Sequence, residues 1–390
     1  MERMKIAFYT DAYLPGVDGV VSSILTFRDE LSRRGHTVYI FASSVQKHAK
    51  TADKNTFLYS GLKFKPYPQY NIALFPFNSV LKINELGIDI IHAQTPMVMG
   101  FAGFLSARML RKPFVSSFHT LVTNERIVNT YYPKNKHIRK LAKSSMKRYI
   151  EFFYKNSDAV IVPSPSVCNM LMKLGIKNIS TIPNCIDTKV FNPKVSGMGF
   201  REAIGFGSSE KIILYQGRLS REKNIEVLLH AARILMKKDS GIRLVIGGTG
   251  PAEHHYKILA TKLGIIGNTR FLGFVDQKML PKVYAAADVF CLPSTFETQG
   301  IVLLEAMASG KPVVGADYLA IKNLISNGSN GEKFRPGDYT DCARKIEKVL
   351  NNTGRYKQNA ISVAAEYSKE KVAEKLIDVY KRVLSSKAIY

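Results

Sequence analysis

The chain alternates short apolar, β-rich runs with amphipathic segments that are long enough to form helices. Near-continuous apolar strands separated by helices are typical of parallel sheets covered on both faces, so this pattern predicts an α/β fold. The candidate strands cover residues 4–10, 36–42, 88–94, 114–120, 158–164, 211–217, 242–248, 288–294 and 311–317.

The alternation occurs twice, and 390 residues are too many for a single comfortable core. Between the two series, residues 183–199 contain Pro, Asn and Gly residues that interrupt the periodicity. We therefore expect two Rossmann-like domains, 1–190 and 200–374. A last helix near 369–384 carries apolar residues at helical spacing, and its end, from about 375 to 390, is expected to pack back on the first domain.

Composition narrows the class of protein. Hydrophobic residues make up 46% of the chain and charged residues 22%, which describes a folded protein rather than a disordered one. The net charge is +25, and residues 1–200 carry 27 Lys and Arg against 12 Asp and Glu, hence +15. Such a field attracts nucleic acid, anionic membranes or small anions. Because no zinc-finger, RRM-like or KH-like signature occurs, we expect no nucleic-acid partner.

The four cysteines, Cys168, Cys185, Cys291 and Cys342, include no CxxC pair. Their spacing argues against a zinc site and a disulfide scaffold, and it suits a reducing cytoplasm. Residues 1–10 reach a strand-like run without a cleavage pattern, and no stretch approaches 18 uninterrupted apolar residues. We therefore expect a cytoplasmic protein that has no signal peptide and no membrane span.

Glycine-containing loops follow several predicted strands, at the place where parallel α/β sheets collect their ligands. Gly16 and Gly19 stand after the first strand and just before a helix, so the backbone could approach a ligand closely. Residues 247–251 ("GGTGP") follow another strand but lack the lysine of an ATPase P-loop. Either glycine segment could also be a plain turn.

Two cations, Arg218 and Lys223, come directly after the candidate strand 211–217. Cations at the carboxyl end of a strand can neutralise a diphosphate, arginine through a bidentate fork and lysine as a point charge. The alternative is a pair of solvated surface cations.

Two carboxylates stand eight residues apart, Glu297 in a turn after a strand and Glu305 inside a helix expected to begin near Gly300. The backbone N–H groups of residues 299–301 should point outward beside Glu297, where an acid could also act simply as a helix cap. Glu305 lies among apolar residues, where a lone acid is costly unless it is paired or hydrogen-bonded. The pattern favours two acids that face a ligand.

These features resemble those of the retaining, nucleotide-sugar-dependent glycosyltransferases of family 4. The resemblance covers almost the whole chain, and its most specific part is the Glu297–Glu305 spacing followed by "AMASGKPVV" (306–314). Members of the family have the GT-B fold, so the resemblance implies two facing Rossmann-like domains with parallel sheets and a cleft between them. The other matching segments are "RRGHTV" (33–38), "SFHT" (117–120), "GRLSREKN" (217–224), "GGTGP" (247–251) and "FLGFVD" (271–276).

The resemblance also implies roles for the matching residues. Arg218 and Lys223 would hold the donor diphosphate, which the loop of Gly16 and Gly19 would approach. Fixed cations and a helix N-terminus can stabilise a departing diphosphate without Mg²⁺, and the chain has no DxD motif, so we expect no metal and no cofactor. The remaining implied contacts are Glu297 with the hexose, Glu305 with the ribose, Val275 with the base, His119 with the sugar, and Gln299, Gly300 and Ile301 with the sugar and phosphate.

In this family, retention is thought to proceed by attack on the same face within an ion pair, and the leaving phosphate takes the acceptor proton. Two positions depart from the common pattern. Cys185 stands where many members have glycine, and Gln299 stands where many have Phe or Tyr. The sequence "ETQG" (297–300) is similar to the branch that glycosylates diacylglycerol.

Three stretches bear on the acceptor. Residues 62–77 combine aromatic residues, including Tyr70, with two lysines, and residues 117–133 resemble the acceptor loop of the diacylglycerol branch. Residues 134–158 predict an amphipathic helix that can lie on an anionic membrane, although a domain helix with a solvated basic face is the alternative. Its cations include Lys140, Lys143, Lys147 and Arg148.

The sequence therefore predicts a retaining enzyme that moves a hexose, glucose from UDP-glucose, onto a membrane lipid such as diacylglycerol. The predicted partners are a nucleotide sugar, the lipid acceptor and an anionic membrane surface at the inner face of the cell membrane. Phosphatidylinositol, or a soluble or polyprenyl-linked sugar, are alternative acceptors. A sugar-nucleotide epimerase on the same scaffold and a nucleic-acid-binding protein are further, less favoured hypotheses.

Overall fold

The computed structural model describes residues 3–16, 19–44, 53–63, 71–74, 76–119 and 136–387. The chain forms two compact units. The first comprises Met1–Cys185 together with Lys369–Tyr390, and the second comprises Ile186–Ser368. The chain thus returns to the first unit after Ser368, ahead of the boundary at residue 374 expected from the sequence.

The first unit contains an eight-stranded sheet in the order β4-β3-β2-β1-β5-β6-β7-β8. All neighbouring strands run parallel except β3 and β4, which are antiparallel. The strands are β1 (Lys5–Thr10), β2 (Thr37–Ser44), β3 (Thr56–Lys63), β4 (Asn71–Ala73), β5 (Ile90–Ala93), β6 (Phe114–Ser117), β7 (Ala159–Val162) and β8 (Ile179–Thr181). The helices are Gly19–Arg33, Ser79–Leu86, Val98–Met109, Lys136–Lys155, Pro165–Met172 and the terminal helix Lys369–Lys387, and a 3₁₀ turn covers Pro76–Asn78.

The terminal helix packs into the core of the first unit. Its Val372, Leu376 and Tyr380 are buried against strand residues such as Ile6 and Ile90. The spacing of these side chains places them on one helical face, which explains why this face turns to the sheet.

The second unit contains a six-stranded, fully parallel sheet in the order β11-β10-β9-β12-β13-β14. The strands are β9 (Lys211–Gln216), β10 (Ile242–Gly247), β11 (Thr269–Gly273), β12 (Val289–Leu292), β13 (Val313–Ala316) and β14 (Gly331–Phe334). The helices are Met198–Ala203, Ile225–Lys238, Glu253–Lys262, Leu280–Ala286, Ile301–Ala308, Ile321–Leu324, Tyr339–Leu350 and Thr353–Ala365, with 3₁₀ turns at Arg221–Lys223 and Ile266–Asn268.

Each sheet has one point at which the strand order reverses. In the first sheet the reversal lies between β1 and β5, and in the second sheet it lies between β9 and β12. Loops that leave such a pair of strands diverge to opposite faces, which opens a crevice at the carboxyl ends, and open α/β sheets bind their ligands there. The predicted α/β class with mostly parallel sheets is confirmed. The two crevices are the places where this fold is expected to bind ligands.

All nine candidate strands lie on observed strands, but the sequence pattern missed β3, β4, β8, β11 and β14. Four of these five are the outermost strands of their sheets, and β3 is second from an edge. Strands buried on both faces give continuous apolar runs, whereas outer strands keep polar or short segments that the pattern does not reveal. Over the described ranges, no helix combines the length and the apolar character that crossing a membrane requires.

Candidate functional site

The loops after β9 and β12 begin side by side at the switch point of the second sheet. The two strands pair in parallel, with Phe290 beside Leu214. The loop after β9 carries Arg218 and Lys223, and the loop after β12 carries Glu297. The fold therefore gathers predicted donor-binding residues from distant parts of the sequence.

Lys223 and Glu297 form an ion pair. The distance between Lys223 Nζ and Glu297 Oε1 is 2.7 Å. The lysine side chain is 19% exposed and the glutamate side chain 14% exposed, so neither is a freely solvated surface charge. A partly buried pair keeps more of its Coulomb attraction than a surface pair because water screens it less. Lys223 is therefore not a solvated surface cation, which was the alternative interpretation of the sequence.

Asn224 joins the two loops, a role that the sequence analysis missed. Its Nδ2 donates a hydrogen bond to Oγ1 of Thr295 at 3.0 Å. Asn224 has φ of 51° and ψ of 37°, a left-handed conformation that Asn tolerates better than most residues. The sequence signal was an Asn directly before an apolar helical run, which predicts a helix start but not the contact with the second loop.

The helix Ile301–Ala308 starts beside Glu297. Gly300 has φ of 86° and ψ of 53°, where a residue with a Cβ is strained, and an added Cβ would lie 3.3 Å from Cδ1 of Leu303. The first N–H groups of a helix have no partner within the helix, and they carry partial positive charge. The loop thus presents donors for an anion next to a carboxylate.

Glu305 lies in the middle of this helix between Leu304 and Ala306, both fully buried, yet it keeps partial exposure to solvent. The hydroxyl of Tyr284 donates a hydrogen bond to Oε2 of Glu305 at 2.6 Å. Burial raises the pKa of Glu305 to about 7, and the bond from Tyr284 acts in the opposite direction. The acid is therefore not stranded in the apolar helix, since it has a partner on one side and solvent on the other.

The glycines of residues 247–251 allow one loop to pack against another. Gly248 has φ of 114°, and a Cβ added there would lie 1.9 Å from the carbonyl oxygen of Gly217. A Cβ on Gly250 would lie 2.3 Å from the carbonyl oxygen of Leu219. The interpretation as a turn therefore accounts for these glycines, which bring the loop after β10 against the loop after β9.

Two other predicted donor contacts border the same region. Val275 follows β11 and is half-buried, and its Cγ2 would lie 3.2 Å from a Cβ added to Gly247. Gln299 is 2% exposed and directly precedes Gly300. Both residues lie in loops at the carboxyl end of the second sheet.

Three buried tyrosines, which the sequence analysis did not single out, support these loops from the interior. Tyr215 donates its hydroxyl to the carbonyl oxygen of Arg218 at 3.0 Å, and Tyr256 donates to that of Ser220 at 2.9 Å. Tyr284 contacts Glu305 as described. In the sequence nothing separates these tyrosines from ordinary core aromatics, because the hydroxyl's partner depends on the tertiary structure.

In the first unit, His119 follows β6 and Gln94 follows β5, so both lie at the carboxyl end of that sheet. Nε2 of His119 lies 3.2 Å from Oε1 of Gln94. Burial lowers the pKa of His119 to about 4, which keeps the imidazole neutral at physiological pH. Gln94 is 1% exposed, and its Nε2 has no hydrogen-bond partner among the described residues. This pair offers hydrogen bonds without a fixed charge.

The loop after β1 carries Gly16, and Gly19 is the first residue of the next helix. Asp11, also after β1, is 1% exposed. Its Oδ1 accepts from the Met99 backbone N–H at 2.9 Å, and its Oδ2 accepts from the Thr95 hydroxyl at 2.6 Å. Burial raises the pKa of Asp11 to about 6. These bonds cap the helix that follows β5, which gives Asp11 a structural role.

The helix Lys136–Lys155 packs on the first unit through side chains such as Phe153, which is fully buried. Leu141 is 70% exposed and Phe152 is 48% exposed. Together with the exposed Arg148 they stand at positions i, i+7 and i+11, hence on one outward face.

The structure describes some of the predicted acceptor residues and not others. Lys140 and Lys147 are exposed, and Lys143 is half-buried. Tyr70 and residues 120–133 of the predicted acceptor loop lie outside the described residues. Within the described part of the chain, no three His, Cys, Asp or Glu side chains form a group that could hold a metal ion.

Two parallel α/β sheets, one with cations, acids and a helix N-terminus at its switch point, are typical of α/β proteins that bind anionic ligands. Family models match both halves: Glycosyltransferase Family 4 over residues 17–190, and Glycosyl transferases group 1 over residues 199–369. The alpha-monoglucosyldiacylglycerol synthase of Streptococcus pneumoniae is 31% identical over 386 residues, covering 96% of this chain and 86% of that protein. The chain belongs to the family 4 glycosyltransferases, which are nucleotide-sugar-dependent enzymes.

A second relative is named for its donor. The GDP-mannose-dependent alpha-mannosyltransferase of Corynebacterium glutamicum is 26% identical, covering 96% of this chain and 86% of that protein. Among solved structures, Anabaena Alr3699/HepE in complex with UDP and glucose has a TM-score of 0.75 at 20% identity, covering 97% of this chain and all of that chain. The structural likeness establishes the GT-B fold.

Proposed function

We propose that this enzyme transfers glucose from UDP-glucose, with retention of configuration and without a metal, to a membrane lipid such as diacylglycerol. The observation that carries the proposal is the partly buried ion pair of Lys223 and Glu297 at the switch point of the second sheet, with Glu305 on the helix that follows Glu297. The likeness to a monoglucosyldiacylglycerol synthase across 96% of the chain supports the lipid acceptor.

The charged cluster suits a nucleotide diphosphate sugar. Arg218 and Lys223 are assigned to the diphosphate, together with the N–H groups at Gly300 and Ile301. When a diphosphate neutralises Lys223, the ion pair with Glu297 opens, and Glu297 becomes free to accept hydrogen bonds from hexose hydroxyls. Glu305 is assigned to the ribose hydroxyls and Val275 to the base.

Transfer breaks the bond between sugar C1 and the phosphate oxygen and forms a bond from C1 to the acceptor oxygen on the same face. The departing diphosphate takes the acceptor proton. Arg218, Lys223 and the helix N-terminus stabilise the charge that develops on the leaving group. We assign neutral His119 to a sugar hydroxyl, and the loop of Gly16 and Gly19 to the diphosphate.

The lipid acceptor implies contact with a membrane. The outward face of the helix Lys136–Lys155 combines exposed Leu141 and Phe152 with Arg148, and exposed Lys140 and Lys147 stand on the same helix. Apolar side chains that enter the interface and cations that meet anionic headgroups act together in such helices. We therefore place the enzyme peripherally on the inner face of the cell membrane.

The test begins with the donor. UDP-glucose, UDP-galactose and GDP-mannose are compared by thermal shift, since a ligand that binds only the folded state raises the melting temperature. The enzyme is then incubated with UDP-glucose and vesicles that contain diacylglycerol, in the presence of EDTA. Formation of alpha-glucosyldiacylglycerol is the expected result. A melting temperature that none of the sugars raises, with no glycolipid formed, contradicts the proposal.

A mannosyltransferase is the second candidate, favoured by the relative from Corynebacterium glutamicum that uses GDP-mannose. Stabilisation by GDP-mannose alone, with mannose transferred to phosphatidylinositol or a soluble acceptor, would identify it. An epimerase would instead convert UDP-glucose into another UDP-sugar when no acceptor is present.

A further inference from the structure

Tyr284 and Glu305 form a buried pair whose geometry is fixed by packing. Tyr284 lies on the helix Leu280–Ala286 and has no exposed surface. Its ring centroid lies 5.7 Å from that of Phe191 and 5.7 Å from that of Phe290, so neighbouring rings hold the phenol in place. Its hydroxyl donates to Oε2 of Glu305 at 2.6 Å.

A second buried carboxylate in the same unit, Glu332, accepts hydrogen bonds on both of its oxygens and serves as a comparison. Glu332 is completely buried, and Lys345 donates to its Oε2 at 2.8 Å. Lys348 and Tyr356 donate to its Oε1 at 2.6 Å and 3.2 Å. Burial alone would raise the pKa of Glu332, but the two lysines hold it below its usual value. Glu332 is saturated and serves the fold.

Glu305 is different because it has one side-chain donor. Within the described part of the chain, Tyr284 alone donates to this carboxylate, through Oε2. Glu305 retains solvent exposure, whereas Tyr284 has none. A carboxylate that accepts a hydrogen bond from the protein on one oxygen can accept hydrogen bonds from the hydroxyl groups of a ligand on the other.

We propose that Tyr284 is a positioning residue for the donor, holding Oε2 of Glu305 so that Oε1 is presented to the ribose hydroxyls. This inference rests on the proposed function of Glu305. Tyr284 acts only through the carboxylate and does not touch the nucleotide. It orients the acceptor atom, and it favours the charged form that accepts two hydroxyl hydrogens.

The electrostatics agree with this assignment. Burial raises the pKa of Glu305 to about 7, and the bond from Tyr284 is the interaction that counteracts it. Burial raises the pKa of Tyr284 well above 10, so the phenol remains a donor over the working range. Loss of the hydroxyl would leave Glu305 more often protonated near neutral pH, and donor affinity would fall.

The test uses Tyr284→Phe, which keeps the ring and its packing, and Tyr356→Phe as a matched control that removes a hydroxyl from the bond to Glu332. Binding of UDP-glucose, which has no group titrating near pH 7, is measured by calorimetry between pH 6 and 9. We expect Tyr284→Phe to weaken binding about tenfold at pH 7. The pH midpoint of affinity should move upward, and kcat should change less than Kd. Tyr356→Phe should keep the wild-type profile.

A double-mutant cycle separates positioning from structural damage. In a Glu305→Ala background, Tyr284→Phe should leave the affinity unchanged, because the carboxylate through which it acts is absent. An equal loss in that background, or a wild-type affinity that does not vary around pH 7, overturns the inference. If wild-type enzyme binds UDP-glucose and Tyr284→Phe binds it equally well, only this inference fails. If the wild-type enzyme does not bind UDP-glucose, the proposed function fails with it.

Discussion

At the carboxyl end of the second sheet, charged side chains face one another, whereas His119 and Gln94 at the equivalent place in the first sheet are uncharged. The second sheet has the ion pair of Lys223 and Glu297. In the first sheet, burial holds the pKa of His119 near 4, so the imidazole is uncharged at neutral pH. Asp11, which follows β1 directly, caps a helix by accepting a hydrogen bond from the N–H of Met99.

The difference shows how one topology serves two tasks. Both sheets reverse their strand order at one point, so the backbone alone would make either crevice a ligand site. A leaving diphosphate requires fixed positive charge, which only the second crevice offers among the described residues. Neutral hydrogen-bonding groups such as His119 and Gln94 suit sugar or acceptor hydroxyls. The distribution of charge, rather than the fold, is therefore the reason for which we propose the second unit as the donor site.

The largest effect should come from removing the acid of the charged crevice. Glu297→Ala is expected to abolish transfer, with a loss of about 1,000-fold or more, because the contact to the reacting hexose is lost. Initial rates with saturating donor provide the measurement, and the melting temperature should stay near that of the wild type. Glu347→Ala, which breaks an exposed pair with Lys238, serves as the control. Near-normal turnover of Glu297→Ala contradicts the assignment.

The cations of the same crevice should matter somewhat less. Arg218→Ala and Lys223→Ala should each lose about 2–4 kcal/mol of transition-state stabilisation, since each neutralises part of the departing diphosphate. Values of kcat/KM for the two variants give these energies directly. Lys238→Ala, at an exposed ion pair of the same unit, should retain the wild-type value. Equal values for Lys223→Ala and Lys238→Ala would show that the crevice does not hold the diphosphate.

The two crevices should also respond to pH in opposite directions. The pKa of Glu305 rises from 4.5 to about 7 on folding, so its contribution to stability is complete below pH 4.5 and is lost as the pH rises to 7. The pKa of His119 falls from 6.5 to about 4, so its contribution is complete above pH 6.5 and is lost as the pH falls to 4. Each change amounts to about 3 kcal/mol.

Urea unfolding of wild type, Glu305→Gln and His119→Asn between pH 4 and 7.5 tests this contrast. At each pH, the free energy of unfolding of the variant is compared with that of the wild type, so the difference reports only the substituted group. The titration of Asp11, whose pKa shift is opposite to that of His119, is present in both proteins and cancels. Relative to wild type, Glu305→Gln should gain stability as the pH rises, and His119→Asn should gain as the pH falls. If the stability difference from wild type changes with pH in the same direction for both variants, burial does not shift the pKa of one of these groups as described.

The sequence reveals the charged crevice better than the neutral one, for a physical reason. Arg218, Lys223, Glu297 and Glu305 follow predicted strands, and charged residues beside apolar runs are visible in one dimension. Gln94 gave no such signal, because a buried amide looks like any polar residue until β5 and β6 are placed side by side. Asn224 and Tyr284 were missed for the same reason, since their partners come from other segments. Outer strands such as β11 and β14 escaped because they lack continuous apolar runs.

The smallest expected effect concerns the outward face of the helix Lys136–Lys155. Each cation near an anionic membrane contributes about 1 kcal/mol of binding, so Lys147→Ala with Arg148→Ala should weaken vesicle binding by about 2 kcal/mol. Co-sedimentation with vesicles of phosphatidylglycerol at low salt measures this loss, and added salt should reduce binding of the wild type. The control, Lys237→Ala with Lys262→Ala, removes two exposed cations of the second unit and should bind normally. Equal losses for both pairs would show that the overall charge of +25, rather than this face, attracts the membrane.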